Sequence, residues 1–323
     1  MSRSHRLHRA GGIALTIAER GATWLDCEVP LPGGERRRVV LPRTIDDPAA
    51  DRMYLGATVG RYANRIANAR IGRDGRTWPL APHPVPPHQL HGGPDGFHAR
   101  AWQGTRVGDH ELQLELVSPD GDQGFPGELR VQVIYRLPDA MTIEMAVTAT
   151  VTAPCPVAIT NHAYFNLDGD ARDIRGHRLR VAADHYMPVD AELIPFGPPR
   201  PVPGTSFDFR AGKAVQDDWL GDAQQAVAAG YDHAFLLDPA CARLMQPAAA
   251  VTASSGDLRL SLFTTLPALQ LYTGQQLEPA CAGLALEPGY LPDSPNHPEW
   301  PQPSCWLLPG QVWRHLTRYT FEA

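Results

Sequence analysis

ELQLELVSPDGDQGFPGELRVQVIYRLPDAMTIEMAVTATV, Glu111 to Val151, alternates apolar and polar side chains three times in succession. Leu112, Leu114 and Leu116 share one parity in its first segment, and Leu129, Val131, Val133, Tyr135 and Leu137 in its second. In the third, Met141, Ile143, Met145, Val147 and Val151 stand opposite Thr142, Glu144, Thr148 and Thr150. A side-chain period of two is the mark of a strand with one face buried. The pattern returns in LRLSLFTT with Leu258, Leu260 and Leu262. Repeated over so many segments, it predicts antiparallel strands rather than a parallel α/β fold.

Working outward, 32 prolines and 29 glycines punctuate the chain and leave little room for long helices. The best helical candidate is Val215 to Ala229, with a weak apolar stripe and Gly221 inside it. The expected fold class is all-β, a large antiparallel β-sandwich with few short helices. No repeat, low-complexity tract or composition break marks a linker, so residues 1–323 are expected to form a single domain.

Composition narrows the function. The chain has 323 residues, 43% of them hydrophobic, which is ordinary globular usage. A formal charge of -6 argues against a nucleic-acid partner, which needs a basic face. Cys27, Cys155, Cys241, Cys281 and Cys305 are odd in number and widely spaced, with no C-x-x-C pair; this pattern fits a reducing cytoplasm better than a disulfide framework. The basic start MSRSHRLHRAGG leads into an apolar stretch, Ile13 to Ala18, too short for a signal-peptide core. No apolar run reaches the length of a membrane span. A soluble cytoplasmic protein is expected, without a membrane partner.

Nucleotide-binding and hydrolase signatures are missing: there is no P-loop, no strand–G-x-G-x-x-G–helix unit, no H-E-x-x-H and no G-x-S-x-G. No cofactor is expected. His83, His88, His91 and His98 are dense enough to raise a metal site, but Pro84, Pro86 and Pro87 break any helix that could align two ligands. Turn and surface roles are expected for three of them, while His91, beside Gly92 and Gly93, stays a site candidate. The segment VAITNHAYFNLDG is more informative. Read as one strand, it puts Val157, Ile159, Phe165 and Leu167 on one face and Thr160, His162, Tyr164 and Asn166 on the other. Hydroxyl, imidazole, phenol and amide on a single face suit a carbohydrate. The same parity test separates Gln270 and Tyr272 from Leu269 and Leu271, and Glu287 from Leu284 and Leu286. A carboxylate ending an apolar strand before Pro288 is placed to be desolvated, with a raised pKa suited to proton transfer.

These segments together resemble the aldose 1-epimerase (galactose mutarotase) family. The resemblance is carried in order by GRYANRIANARI (Gly60 to Ile71), QLHGG (Gln89 to Gly93), DGDQGFPGEL (Asp120 to Leu129), TNHAYFNLDG (Thr160 to Gly169), GTSFDFR (Gly204 to Arg210), GYDHAF (Gly230 to Phe235), ALQLYTG (Ala268 to Gly274) and LEPGYLPDSPNHPEWPQP (Leu286 to Pro303). His88, Gln275 and Pro288-Gly289 depart from the family's usual residues. The resemblance implies a sandwich with an open sugar cleft on one sheet and an activity that interconverts the α and β anomers of free hexoses such as D-galactose and D-glucose. It gives Glu287 as general base and His162 as general acid, starting as carboxylate and imidazolium. Asn64, Arg65, His91, Asp232 and Gln270 become the residues that bind the sugar. A monomer or homodimer is expected, with a small aldose as partner. A hexose-6-phosphate 1-epimerase and a non-catalytic sugar-binding sandwich are the alternatives. A glycosidase would need a second carboxylate, and Asp232 is a forced choice for it.

Overall fold

The structure is a computed structural model that describes residues 3–83, 87–170 and 172–323. Pro84 and Pro86, invoked above against a helix, lie outside these residues. Among them, two large antiparallel sheets dominate. One has nine strands, and its centre is the stretch that opened the sequence reading. Glu111–Ser118, Leu129–Arg136 and Thr142–Val151 lie side by side, followed by Trp313–Glu322, Arg259–Thr264 and Ala249–Thr252. The second has six strands, running Tyr164–Phe165, Leu284–Gly289, Ala268–Tyr272, Asp232–Leu237, Ala183–Tyr186 and Arg200–Pro201. An N-terminal sheet of four strands, Ser4–His8 to Arg36–Arg38, adds to these.

The alternation decides the packing. Leu112, Leu114, Val131, Val133, Tyr135, Ile143, Met145 and Val147 are buried and join one apolar cluster with Leu269, Leu271, Leu284 and Leu286 of the six-stranded sheet. Both sheets turn a hydrophobic face inward, which is the sandwich arrangement. The six-stranded sheet's other face carries the polar parity: Gln270 stands directly opposite Glu287, and Asp232 opposite Tyr272.

Two expectations need correction. The helix expected over 215–229 is only Ala223–Ala228, capped by the Asp222 side chain and closed by Ala229 in the left-handed region. Segment 157–169 is not one strand but two short pieces, Thr160–Asn161 and Tyr164–Phe165. The break has a local cause. The Asn161 side chain accepts from the Ala163 amide and donates to the Gly56 carbonyl, so it turns the chain on itself between the pieces. Among the described residues the helices are short, and none is long and apolar enough to cross a membrane.

Candidate active site

The polar face of the six-stranded sheet forms the floor. Glu287 is buried inside the strand Leu284–Gly289, on the face opposite Leu284 and Leu286, which anchor in the core. Its neighbour across the strand, Gln270, donates Nε2 to Asp232 Oδ1 at 2.6 Å. Arg65 brings a guanidinium to the other carboxylate oxygen of Asp232, at 3.7 Å.

The Asn161 turn carries the first wall. It brings the backbone of His162 against residues 56–57, donating to the Ala57 carbonyl at 2.8 Å and accepting from the Gly56 amide at 2.9 Å. The imidazole so placed has Nε2 3.4 Å from Glu287 Oε1, and both side chains are at most 5% exposed. His91 supplies the second wall from the QLHGG turn. Its φ is +49°, and the next residue must be glycine, since a Cβ on Gly92 would lie 1.9 Å from the Gly60 carbonyl oxygen. The Asn64 amide donates to His91 Nδ1 at 3.1 Å, and the Asn64 side chain accepts from the Arg65 amide at 2.7 Å.

Around these groups lies a cleft of about 470 Å³ that opens to solvent. Asn64, Arg65, His91, His162, Asp232 and Glu287 line it. Gln270 is set behind Asp232 rather than on the wall. Of the polar parity in the Thr160–Asn166 segment, only His162 and Tyr164 reach the cavity. Asn166 instead donates to the Ala282 carbonyl, and Thr160 pairs its backbone with Val59. Sequence reasoning missed Met53 and Tyr54, which line the cavity just after the helix Pro48–Arg52. Its only signal was the Asp47-Pro48 start, a capping residue followed by proline at the first helical position. A larger concavity, about 620 Å³, lies on the outer face of the nine-stranded sheet among Glu115, Arg130, Gln132 and Thr148. Its lining residues bring no carboxylate against an imidazole, unlike those of the smaller cleft.

Burial shapes the electrostatics. Desolvation pushes the Glu287 carboxyl up to about 8, with Asp232 adding to the rise and Arg65 opposing it. Desolvation pushes the His162 imidazole down to about 4. His91 is driven well below the usual histidine value, first by burial and then by the positive potential of His162 and Arg65. Near neutrality these shifts favour a protonated Glu287 with both imidazoles neutral. The carboxylate–imidazolium start expected from sequence places that proton on His162 instead, and desolvation of both groups works against it.

The histidine-rich stretch does not assemble as a metal site. His88 accepts from the Asn68 amide, and His98 packs edge-on against Tyr54 at 4.7 Å, half-buried rather than at the surface. The ligand atoms that do converge belong to His91, His162 and Glu287, all within 4.8 Å of one another. The His91 tautomer argues against a cation there. With Nδ1 accepting from a backbone N–H, Nε2 carries the ring proton, and binding a metal through it would require an imidazolate. His91 is instead a hydrogen-bond donor aimed at the cavity.

Comparison with known proteins agrees with this arrangement. The family model described as Aldose 1-epimerase matches residues 3–320. Aldose 1-epimerase of Escherichia coli (strain K12) is 47% identical, over 98% of this chain and 94% of its own length. Galactose mutarotase of Homo sapiens is 38% identical, over 83% and 79%. Among solved structures, an aldose epimerase homologue from C. elegans superposes with a TM-score of 0.90 at 29% identity, covering 100% of this chain and 99% of that one. A galactose 1-epimerase from Lactobacillus acidophilus NCFM gives 0.84 at 26%, covering 100% and 98%.

Proposed function

Because the chain belongs to the aldose 1-epimerase family, we propose that it interconverts the α and β anomers of free hexoses such as D-galactose and D-glucose, with Glu287 and His162 moving the two protons. The enzyme is an isomerase of carbohydrate metabolism. The observation that carries the residue assignment is the buried pair itself, Glu287 Oε1 and His162 Nε2 at 3.4 Å on the wall of the cleft.

A pyranose changes anomer when the C1 hydroxyl loses a proton and the ring oxygen gains one. The C1–O5 bond then breaks, the aldehyde rotates about C1–C2, and closure on its other face reverses both transfers. Glu287 takes the proton from O1, and His162 delivers one to the ring oxygen. Both must act within a single protonation state of the pair, holding one proton in total. The sugar makes this possible: its hydroxyls replace lost water around the carboxylate, and the proton resides on His162 at the moment of ring opening. His91, fixed as an Nε2–H donor, and Arg65 direct hydrogen bonds toward the ring-oxygen side. Asp232, held by Gln270 and Arg65, accepts from sugar hydroxyls. Gln270 acts through Asp232 in this reading, rather than touching the sugar directly.

Five buried, unpaired cysteines suit a reducing compartment, and the cytoplasm is the proposed location, with the enzyme a monomer or homodimer. One observation favours the phosphorylated-sugar alternative: exposed Arg52 stands on the rim of the cavity. Polarimetry on freshly dissolved α-D-galactose, α-D-glucose and glucose 6-phosphate tests the proposal. Accelerated equilibration of the free sugars is expected. Acceleration confined to the 6-phosphate, or binding without any acceleration, would overturn it.

A further inference from the structure

His162 lacks the hydrogen-bonded orienter that usually fixes a catalytic imidazole. Its Nε2 faces Glu287, while Nδ1 is buried with no hydrogen-bond partner among the described residues. Besides Glu287, the residue's own backbone favours the charged ring. In catalytic dyads and triads a third group normally sets the ring's orientation and supports the imidazolium. Here the ring faces are covered instead. Tyr164 packs on His162 with centroids 5.0 Å apart and planes at 36°, and Tyr54 with centroids 6.0 Å apart and planes at 28°. Both phenol rings thus lie within packing distance of the imidazole.

Tyr54 is held firmly for this role. It leaves the helix Pro48–Arg52 with φ +53°, a left-handed conformation that a bulky L-residue rarely adopts. Its amide donates to the Asp51 carbonyl at 3.1 Å. The Asp51 carboxylate is gripped in turn by Arg20 at 2.8 Å and Arg43 at 2.6 Å. The ring also touches His91, at 4.5 Å between centroids, so one side chain packs on both imidazoles of the site.

We propose that Tyr54 is a positioning residue which, with Tyr164, clamps the His162 ring and offers π-electron density to its protonated form, in place of a hydrogen bond at Nδ1. An aromatic face attracts a cation through its quadrupole, and does so most strongly where water is excluded. The other titratable groups facing His162 are Glu287, His91 and His98. Burial keeps both of these histidines neutral near neutral pH, so among the described residues Glu287 is the charged group that faces the imidazolium. Arg65 and Asp232 act on the pair through Glu287. The proposal rests on the acid role given to His162.

The test compares Tyr54→Phe with Tyr54→Leu, and with Tyr54→Met as a second unbranched replacement should leucine not fold. kcat and KM are measured across pH, and the His162 ring is followed by NMR titration. Phenylalanine keeps the π face and is expected to recover most of kcat. Leucine or methionine is expected to lower kcat about tenfold and to move the His162 titration and the acid limb of kcat toward lower pH by about half a unit. Simple loosening would admit water, relieve desolvation and move that limb the other way. An unchanged or upward limb in the leucine and methionine variants overturns the clamp, as does an equal downward shift in Tyr54→Phe, which would assign the effect to the hydroxyl. His162→Asn, assayed in parallel, separates the two levels. If that variant keeps full activity, the acid assignment fails and not merely the clamp.

Discussion

At the residue scale, burial of Glu287, the proposed base, costs stability. Its folded pKa is raised to about 8, above the ordinary carboxylate value an unfolded chain would show. Between those two values the folded state holds more protons than the unfolded one, so Glu287's contribution makes the protein less stable as pH rises through that window. Glu287→Gln should therefore raise the melting temperature, with a gain on the order of a few kcal/mol that is small near pH 4.5 and full above pH 8. Melting curves at several pH values check it, and a gain that shrinks toward alkaline pH would be the wrong sign. The same pair governs the rate. With two protons it has no base, and with none it has no acid. A bell-shaped kcat/KM is expected, rising through about 4 and falling through about 8. A rate that keeps rising beyond pH 9 would contradict it.

Elements hold these residues in place, and Arg61 is the clearest case. In sequence it stands in a run with Arg65 and Arg70, and all three look alike. The structure separates them: Arg65 reaches the cavity and Arg70 is exposed, while Arg61 is buried with no carboxylate partner among the described residues. Its guanidinium donates to the carbonyls of Ser118, Pro119, Pro126 and Gly127 and to the Ser118 hydroxyl, tying down the loop between two central strands. Arg61→Met leaves those acceptors buried and unpaired, and should cost about 3 kcal/mol of stability by urea denaturation, while the pH limbs of the rate stay in place. No loss of stability would show that water replaces the guanidinium. The contrast explains what was legible in the sequence. Where a single period dominates, as in Glu111–Ser118, Leu129–Arg136 and Thr142–Val151, strand identity and facing can be read directly. Glu287 and Gln270 could be read the same way, as polar exceptions on apolar strands. Tyr54 could not, because its role exists only where distant turns converge. Nor could the break after Asn161, where a side chain competes with the strand ladder.

For the whole molecule, one apolar cluster runs from Leu7 to Phe321 and includes residues of both large sheets. The last long strand, Trp313–Glu322, lies between Thr142–Val151 and Arg259–Thr264, so the C-terminal end closes the centre of a sheet begun much earlier. We therefore propose that residues 1–323 fold as a single unit. Near-ultraviolet circular dichroism and tryptophan fluorescence should report one coincident thermal transition, and two separated transitions would contradict it. The cleft depends on that closure, because the acid comes from a turn near the middle of the chain and the base from a strand near its end. The most direct measurement is anomer exchange on α-D-galactose, followed by NMR with Glu287→Gln, His162→Asn and the double variant. Each single change should lower kcat by roughly 10²–10⁴, and the double variant by little more, since the two groups act as a unit. Wild-type exchange in either single variant would contradict the account.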